Sequence, residues 1–150
     1  MRIAIAGAGI AGAYLFRLLA GSGHSIDLFD IKNGTKCGMS PCAWGTSMDF
    51  FELSNAAGLD PRTYILGRFD HVIIDDLKIP AELMTIDKPR FLKDLIGDAP
   101  IRYEPLDMRG YDRVIDATGI SRAFLPAIEE DISTASRGKR KHHYRSCSCR

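Results

Sequence analysis

Six residues near the start of the chain, Gly7-Ala8-Gly9-Ile10-Ala11-Gly12, have the spacing with which a backbone can hold a pyrophosphate. Gly7 lets the chain turn sharply. Gly9 leaves room for a phosphate beside the backbone, and Gly12 lets the following helix pack against the preceding strand. Ile10 and Ala11 fall at the start of that helix, where unpaired N–H groups and the positive end of the dipole favour an anion. Asp30 lies eighteen positions beyond Gly12. A carboxylate at about that spacing can bind both ribose hydroxyls of an adenosine, and it would repel a 2′-phosphate. FAD or NAD is therefore expected rather than NADP, and Ile31 and Lys32 belong to the same candidate site.

These residues need a scaffold, and the flanking pattern supplies one. Ile3 and Ile5 alternate as on a strand, and Tyr14, Leu15, Leu18 and Leu19 recur at helical spacing. Gly21-Ser22-Gly23 ends the helix, and Ser25-Ile26-Asp27-Leu28-Phe29-Asp30 reads as a second strand. A βαβ unit that binds nothing is the alternative, but the strand, helix and acid all stand where a dinucleotide site requires them.

From Ile31 to Ser47 the sequence predicts a long loop, rich in glycine and cysteine, directed along the ligand toward its reactive end. Cys37, Gly38, Cys42 and Trp44 are its candidate site residues. Trp44 could wall an apolar pocket or plug the core. Cys37 and Cys42 form C-x4-C, which admits a redox disulfide beside a flavin. The spacing resembles the redox-active loop of the glutathione reductase family, but Pro41 precedes Cys42 and that loop's flanking glycines are lacking, so two free thiols is the reading adopted. With no nearby His or third Cys, no metal site is expected.

Further on, residues 48–59 read as a helix with Phe50, Phe51 and Leu53 on its apolar face, ended by Gly58. Asp60-Pro61 starts a turn. Residues 64–66, 71–74 and 77–86 look like strands of an antiparallel meander, the last broken by Pro80. His71 is read as a strand-surface residue. Asp87 is placed to cap a helix that starts at Lys88-Pro89-Arg90 and carries Phe91, Leu92, Leu95 and Ile96 on one stripe. Gly97-Asp98 ends it. Residues 101–103 form a short strand, and residues 111–119 a buried strand closing in the tight turn Ala117-Thr118-Gly119.

Taken together and in this order, the glycine run, Asp30, Lys36-Cys37-Gly38, Thr85-Ile86-Asp87-Lys88-Pro89-Arg90-Phe91 and Val114-Ile115-Asp116-Ala117-Thr118-Gly119 resemble FAD-dependent oxidoreductases, in particular the geranylgeranyl reductase-like branch. The resemblance covers residues 1–128. It implies that Gly7, Gly9, Ile10, Ala11 and Gly12 hold the FAD pyrophosphate and that Asp30, with Ile31 and Lys32, holds the adenosine ribose. It also implies that Arg90 starts a helix beside the cofactor and that Ala117, Thr118 and Gly119 lie against it. Cys37, Gly38, Cys42 and Trp44 would lie near flavin and substrate. The implied chemistry is flavin-mediated hydride transfer to an apolar, isoprenoid double bond, and no acid–base pair stands out as catalytic. Family members continue past the Ala-Thr-Gly strand with a substrate sheet, so the resemblance implies an incomplete domain, an inactive fragment expected to bind FAD weakly at best and to reduce no substrate.

The chain has 150 residues, of which 45% are hydrophobic and 26% charged, an ordinary globular composition. No apolar stretch reaches the roughly 18 residues of a membrane span. With no secretory leader in view, four cysteines argue for reduced thiols in a cytoplasm. Residues 137–150 carry six Lys and Arg and no acid, which leaves fourteen basic against nineteen acidic residues, near −5, in the rest. That tail could be a basic arm for nucleic acid, a metal end built on His142, His143, Cys147 and Cys149, or a terminus with no role. The third is adopted, because aromatic interleaving and a metal scaffold are both lacking.

The expected fold is α/β: a Rossmann-like FAD/NAD(P)-binding fold of the glutathione reductase type, incomplete, with a small antiparallel meander. Residues 1–128 form the cofactor domain and residues 129–150 a basic, disordered tail. The expected partner is an apolar small molecule. Ile65, Ile73 and Leu77 on the meander would face water or a second copy, so the chain is expected to be aggregation-prone or a homo-oligomer. No nucleic acid is expected, and peripheral membrane contact stays open. Two other functions stand beside this one: a stand-alone dinucleotide-binding module without catalysis, and a disulfide oxidoreductase fragment using Cys37 and Cys42.

Overall fold

Two apolar clusters lie on opposite sides of one helix, and the chain is built outward from that helix. The computed structural model describes residues 1–31, 44–119 and 122–126. Strand β1 (Arg2–Ala6) leads through the glycine run into helix α1 (Ile10–Leu19) and strand β2 (Ser25–Phe29). Short strand β3 (Gly45–Thr46), helix α2 (Phe50–Ala56) and a 3-10 turn (Pro61–Tyr64) follow. The long strands β4 (Ile65–Ile74) and β5 (Leu77–Ile86) make a hairpin. Helix α3 (Lys88–Ile96), β6 (Ile101–Arg102) and β7 (Arg113–Asp116) complete the described elements.

The fold is mixed α/β, with one parallel and one antiparallel sheet. The parallel sheet has the order β6-β2-β1-β7, and the antiparallel sheet the order β3-β5-β4. In the first, β1 runs parallel to β2 from Arg2–Ser25 to Ala6–Phe29, and to β7 from Ile3–Arg113 to Ala6–Asp116. The chain leaves β1 through α1 to β2 on one side and returns, after β6, to β7 on the other, so the strand order reverses at β1. That arrangement opens a crevice at the strand ends.

Helix α1 is apolar on two sides because both are covered. Leu15, Phe16 and Leu19 pack on Ile3, Ile5 and Leu28 of the parallel sheet. Ala13, with Ile10 and Tyr14, faces the second cluster, made by Phe50, Tyr64, Met84, Ile86, Phe91 and Leu95. The Arg17 side chain ties the helices together. Its Nε donates to the Ala57 carbonyl and its Nη1 to the Asp94 carbonyl at 2.8 Å, at the carboxyl ends of α2 and α3. These carbonyls have no intrahelical donor of their own, and a cation there also answers the helix dipole.

Local signals explain most boundaries. The Asp87 carboxylate accepts from Arg90 N–H at 3.1 Å and caps α3, with Pro89 in the first turn. Gly97 ends that helix with φ of 53°. Three expectations are corrected. Tyr64 closes the 3-10 turn instead of starting a strand: the Asp60 side chain accepts from Arg62 N–H, Pro61 sets the turn, and the Tyr64 ring is buried against Phe91. Strand β4 is continuous from Ile65 to Ile74, where two short strands were expected. Pro80 does not break β5; it sits opposite His71, where the ladder shifts register between Phe69 and His71. Over that stretch β5 has one neighbour, so a residue without an N–H is tolerated. On the meander, Ile73 and Leu77 are exposed as expected, whereas Ile65 packs on the core. No described helix is long and apolar enough to cross a membrane.

Candidate functional site

The carboxyl ends of β1 and β7 bring together motifs more than a hundred residues apart. Gly7 has φ of 101°, and a Cβ on it would stand 2.4 Å from the Ala117 carbonyl oxygen and 3.1 Å from Thr118 Cα. A Cβ on Gly12 would stand 1.8 Å from the Gly7 carbonyl oxygen and 3.3 Å from Ala117 Cβ. Both positions therefore demand glycine, one through conformation and contact, the other through contact alone. Gly9 differs. It is exposed, its φ of −72° suits any residue, and no heavy atom lies within 4 Å of the Cβ it lacks. As N-cap of α1 it stands before the first-turn N–H groups of Ile10, Ala11 and Gly12, which have no intrahelical acceptor.

Asp30 stands just past the end of β2 beside this loop. One of its carboxylate oxygens accepts from Ala8 N–H at 2.9 Å, and its own N–H donates to the Arg102 carbonyl at 3.0 Å. The acid and the glycine loop are thus one unit, tied by a bond that sequence spacing did not anticipate. Ile31 follows, 76% exposed.

On the other side of the crevice Asp116 organises the turn after β7. Its carboxylate accepts from Thr118 N–H at 3.0 Å, Thr118 Oγ1 at 2.5 Å, Phe124 N–H at 2.9 Å and Leu125 N–H at 3.1 Å. Desolvation pushes this carboxyl up, but the Thr118 hydroxyl and the three N–H donors outweigh it and hold the pKa down at about 2. Thr118 Oγ1 also accepts from Ala123 N–H at 2.9 Å. The Thr118 side chain is therefore turned into the loop it supports, and Gly119 follows with φ of 79°. The organising role of Asp116 was missed in the sequence. The signal was present: an aspartate two residues before a threonine is the spacing at which a carboxylate bonds backbone ahead of it.

Beside the amino end of α1 lies a cleft of about 340 Å3. It is lined by Ile10, Ala11 and Tyr14 of α1, by Trp44, Gly45 and Thr46, and by Phe50, Leu53, Ile86, Lys88 and Phe91. Trp44 therefore fills both roles left open for it: it lines the cleft and packs on the core behind it. Its φ of 53° and the bond from Ile86 N–H to its carbonyl at 3.2 Å fix the chain at that point.

The structure does not bring all the candidates together. The Arg90 guanidinium donates to the Thr63 carbonyl at 3.2 Å and lies over the Tyr64 ring, so it braces the 3-10 turn. Lys88, two residues earlier, is the basic residue that lines the cleft. The Lys88-Pro89-Arg90 run alone could not separate these roles, because the direction of each side chain depends on where α3 begins. His71 is partly exposed and paired with the Asp70 carboxylate on the hairpin. Lys32, Cys37, Gly38 and Cys42, and the basic tail from residue 129, lie outside the described residues. Among the described residues no cluster of His, Cys, Asp and Glu could hold a metal ion.

No family model and no curated protein matches the sequence. A solved structure of a geranylgeranyl bacteriochlorophyll reductase-like protein from Thermoplasma acidophilum is similar to the chain, with 14% identity and a TM-score of 0.46 over 63% of this chain. The match spans 26% of that protein's length. At such an identity the roles of single residues rest on the geometry above.

Proposed function

We propose that this chain binds a dinucleotide with an unmodified adenosine ribose, FAD before NAD, and that it is the cofactor-holding part of a flavin-dependent oxidoreductase. On this reading the fold is Rossmann-like, of the glutathione reductase type. Gly9 carries the proposal. Of the three glycines in the run, it alone has empty space where a side chain would be, and it stands at a helix start on the carboxyl edge of a parallel sheet. Neither its conformation nor its neighbours require glycine; an N-cap favours one, and the open space at that helix start is what a phosphate approaching the backbone needs.

The residues present fit the group. The first turn of α1 would hold the pyrophosphate, and the Asp30 carboxylate, braced by Ala8 N–H, would accept from the ribose hydroxyls. The cleft walled by Ile10, Tyr14 and Trp44 offers apolar and aromatic surface next to that turn. FAD, when bound, supplies hydride transfer, and the resemblance of the sequence points to an isoprenoid double bond as the acceptor. The chain itself binds, orients and screens. Lys88 adds positive charge beside the cleft.

The test is a titration of the purified chain with FAD, NAD and NADP, read by flavin fluorescence and calorimetry. FAD should bind, NADP should not, and Gly9→Val should abolish binding with the far-UV circular dichroism unchanged. Asp30→Ala should weaken FAD by about 1.5–3 kcal/mol, the scale of a hydrogen bond to a charged group. If Gly9→Val binds FAD as the wild type does, the loop is only a turn and the proposal fails.

A further inference from the structure

Among the described residues other than glycine, Trp44 is the one aromatic side chain on a backbone of positive φ, at 53°. A bulky ring seldom adopts this left-handed region, and a residue held there points to a constraint that its surroundings impose. Two contacts impose it here. The Trp44 carbonyl accepts from Ile86 N–H at 3.2 Å, and Gly45, the next residue, pairs with Thr85 across β3 and β5. So held, Trp44 packs on the core and lines the cleft beside the amino end of α1.

We propose that Trp44 contacts the flavin ring and is the residue that favours FAD over NAD, an inference that rests on the dinucleotide reading above. Ile10 and Ala11 belong both to the first turn of α1 and to the cleft. Asp30, bonded to Ala8 N–H, does not line the cleft. With the adenosine at Asp30 and the pyrophosphate at the first turn, the ring end of the dinucleotide falls at the cleft. At about 340 Å3 the cleft is at the small end of ligand pockets, so it admits one part of a cofactor and not the whole.

The lining suits a flat ring. Tyr14, Trp44, Phe50 and Phe91 supply aromatic surface, on which planar ligands gain affinity by stacking and burial. Phe50 and Phe91 are buried and packed edge to face on each other, whereas Tyr14 and Trp44 are half-buried and keep surface for a ligand. Of these two, Trp44 has the larger ring system and the constrained backbone. The three fused rings of a flavin cover more of such a surface than the single ring of nicotinamide, so the gain is larger for FAD.

The experiment titrates the wild type, Trp44→Phe and Trp44→Leu with FAD, NAD and ADP-ribose, which has the adenosine and pyrophosphate but neither flavin nor nicotinamide. By calorimetry, Trp44→Leu should weaken FAD about tenfold and NAD by no more than about threefold, and leave ADP-ribose unchanged. Trp44→Phe, which keeps a ring and the packing behind it, should weaken FAD less. The emission of bound FAD is the second readout. An indole in contact quenches a flavin by giving an electron to its excited state, and a phenyl ring does not. Trp44 is the chain's single tryptophan, so both variants should hold a FAD that is severalfold brighter. Equal losses for FAD and ADP-ribose would show that Trp44 only supports the fold, and unchanged FAD affinity and emission would put the ring elsewhere. Either result overturns this inference and leaves the dinucleotide reading standing. A wild type that binds none of the three ligands overturns both.

Discussion

At Gly7 and Gly12, on the carboxyl edge of the parallel sheet, an added methyl group has nowhere to go, while along the β4–β5 hairpin Ile73 and Ile74 are more than half exposed. Gly7, Gly12 and Ala117 meet backbone against backbone, and Asp116 receives four hydrogen bonds from the turn beside them. The hairpin, beyond its base, is held by its own ladder and presents Ile73, Ile74 and Leu77 outward. One region is over-determined by short contacts, and the other carries apolar side chains that few neighbours constrain. Substitutions should therefore cost much stability at the sheet edge and little on the hairpin.

The sharpest way to break that contrast is Gly12→Ala. Its Cβ would fall 1.8 Å from the Gly7 carbonyl oxygen, so strand and helix must separate. A loss of about 3 kcal/mol or more is expected from the urea midpoint, at the upper end of overpacking effects. Gly9→Ala, three residues away, should lose less than about 1 kcal/mol, since nothing lies near its Cβ. Equal losses at the two sites would show that the glycines differ only in position.

Arg17→Met comes next. It keeps the apolar stem and removes the donors to the Ala57 and Asp94 carbonyls. The expected loss is about 2–3 kcal/mol, that of charge-assisted hydrogen bonds at two helix ends. Thermal unfolding that differs by only a few tenths would mean that packing alone joins α1 to α2 and α3.

Asp116 gives a smaller effect with a pH signature. Its folded pKa, near 2, lies below the ordinary 3.8. The stabilisation is therefore complete above pH 4 and is lost as pH falls from 4 toward 2. Its size is about 1–2 kcal/mol, allowing for solvent screening. Asp116→Asn should remove that part of the acid dependence, so wild type and variant curves of stability against pH should draw together below pH 4 and converge only as pH approaches 2. Parallel curves would place the acid sensitivity elsewhere. The smallest effect is expected on the hairpin. Ile73→Thr keeps a β-branched side chain at an exposed position, and the denaturant midpoint should move by no more than about 0.5 kcal/mol.

Much of the scaffold was legible because it is local. Alternating Ile3 and Ile5, the helical stripe after Gly12, the Asp87 cap and the Gly97 stop all act within a turn or a strand, and each appears where the residues place it. Pro80 and Tyr64 misled because their effect depends on neighbours. A proline disrupts only a strand paired on both sides, and Tyr64 is drawn into a turn by a partner, Asp94, thirty residues on. Trp44 could be given two roles from the sequence, and only the packing of α1, α2 and β5 around it showed that it fills both.

The sequence by itself determined which residues can make a tight, anion-favouring turn between strand and helix, since glycine, strand period and helix period are properties of neighbouring residues. Tertiary structure decided everything that depends on distance across the chain. It set Ala117 against Gly7 and Gly12, drew Asp30 onto Ala8 N–H, gave Asp116 its four donors and sent Arg90 to Thr63 while Lys88 lines the cleft. The reason is physical: a side chain's partners are chosen by which strands become neighbours in the sheet, and the order β6-β2-β1-β7 is a choice of the whole fold that no window of adjacent residues contains.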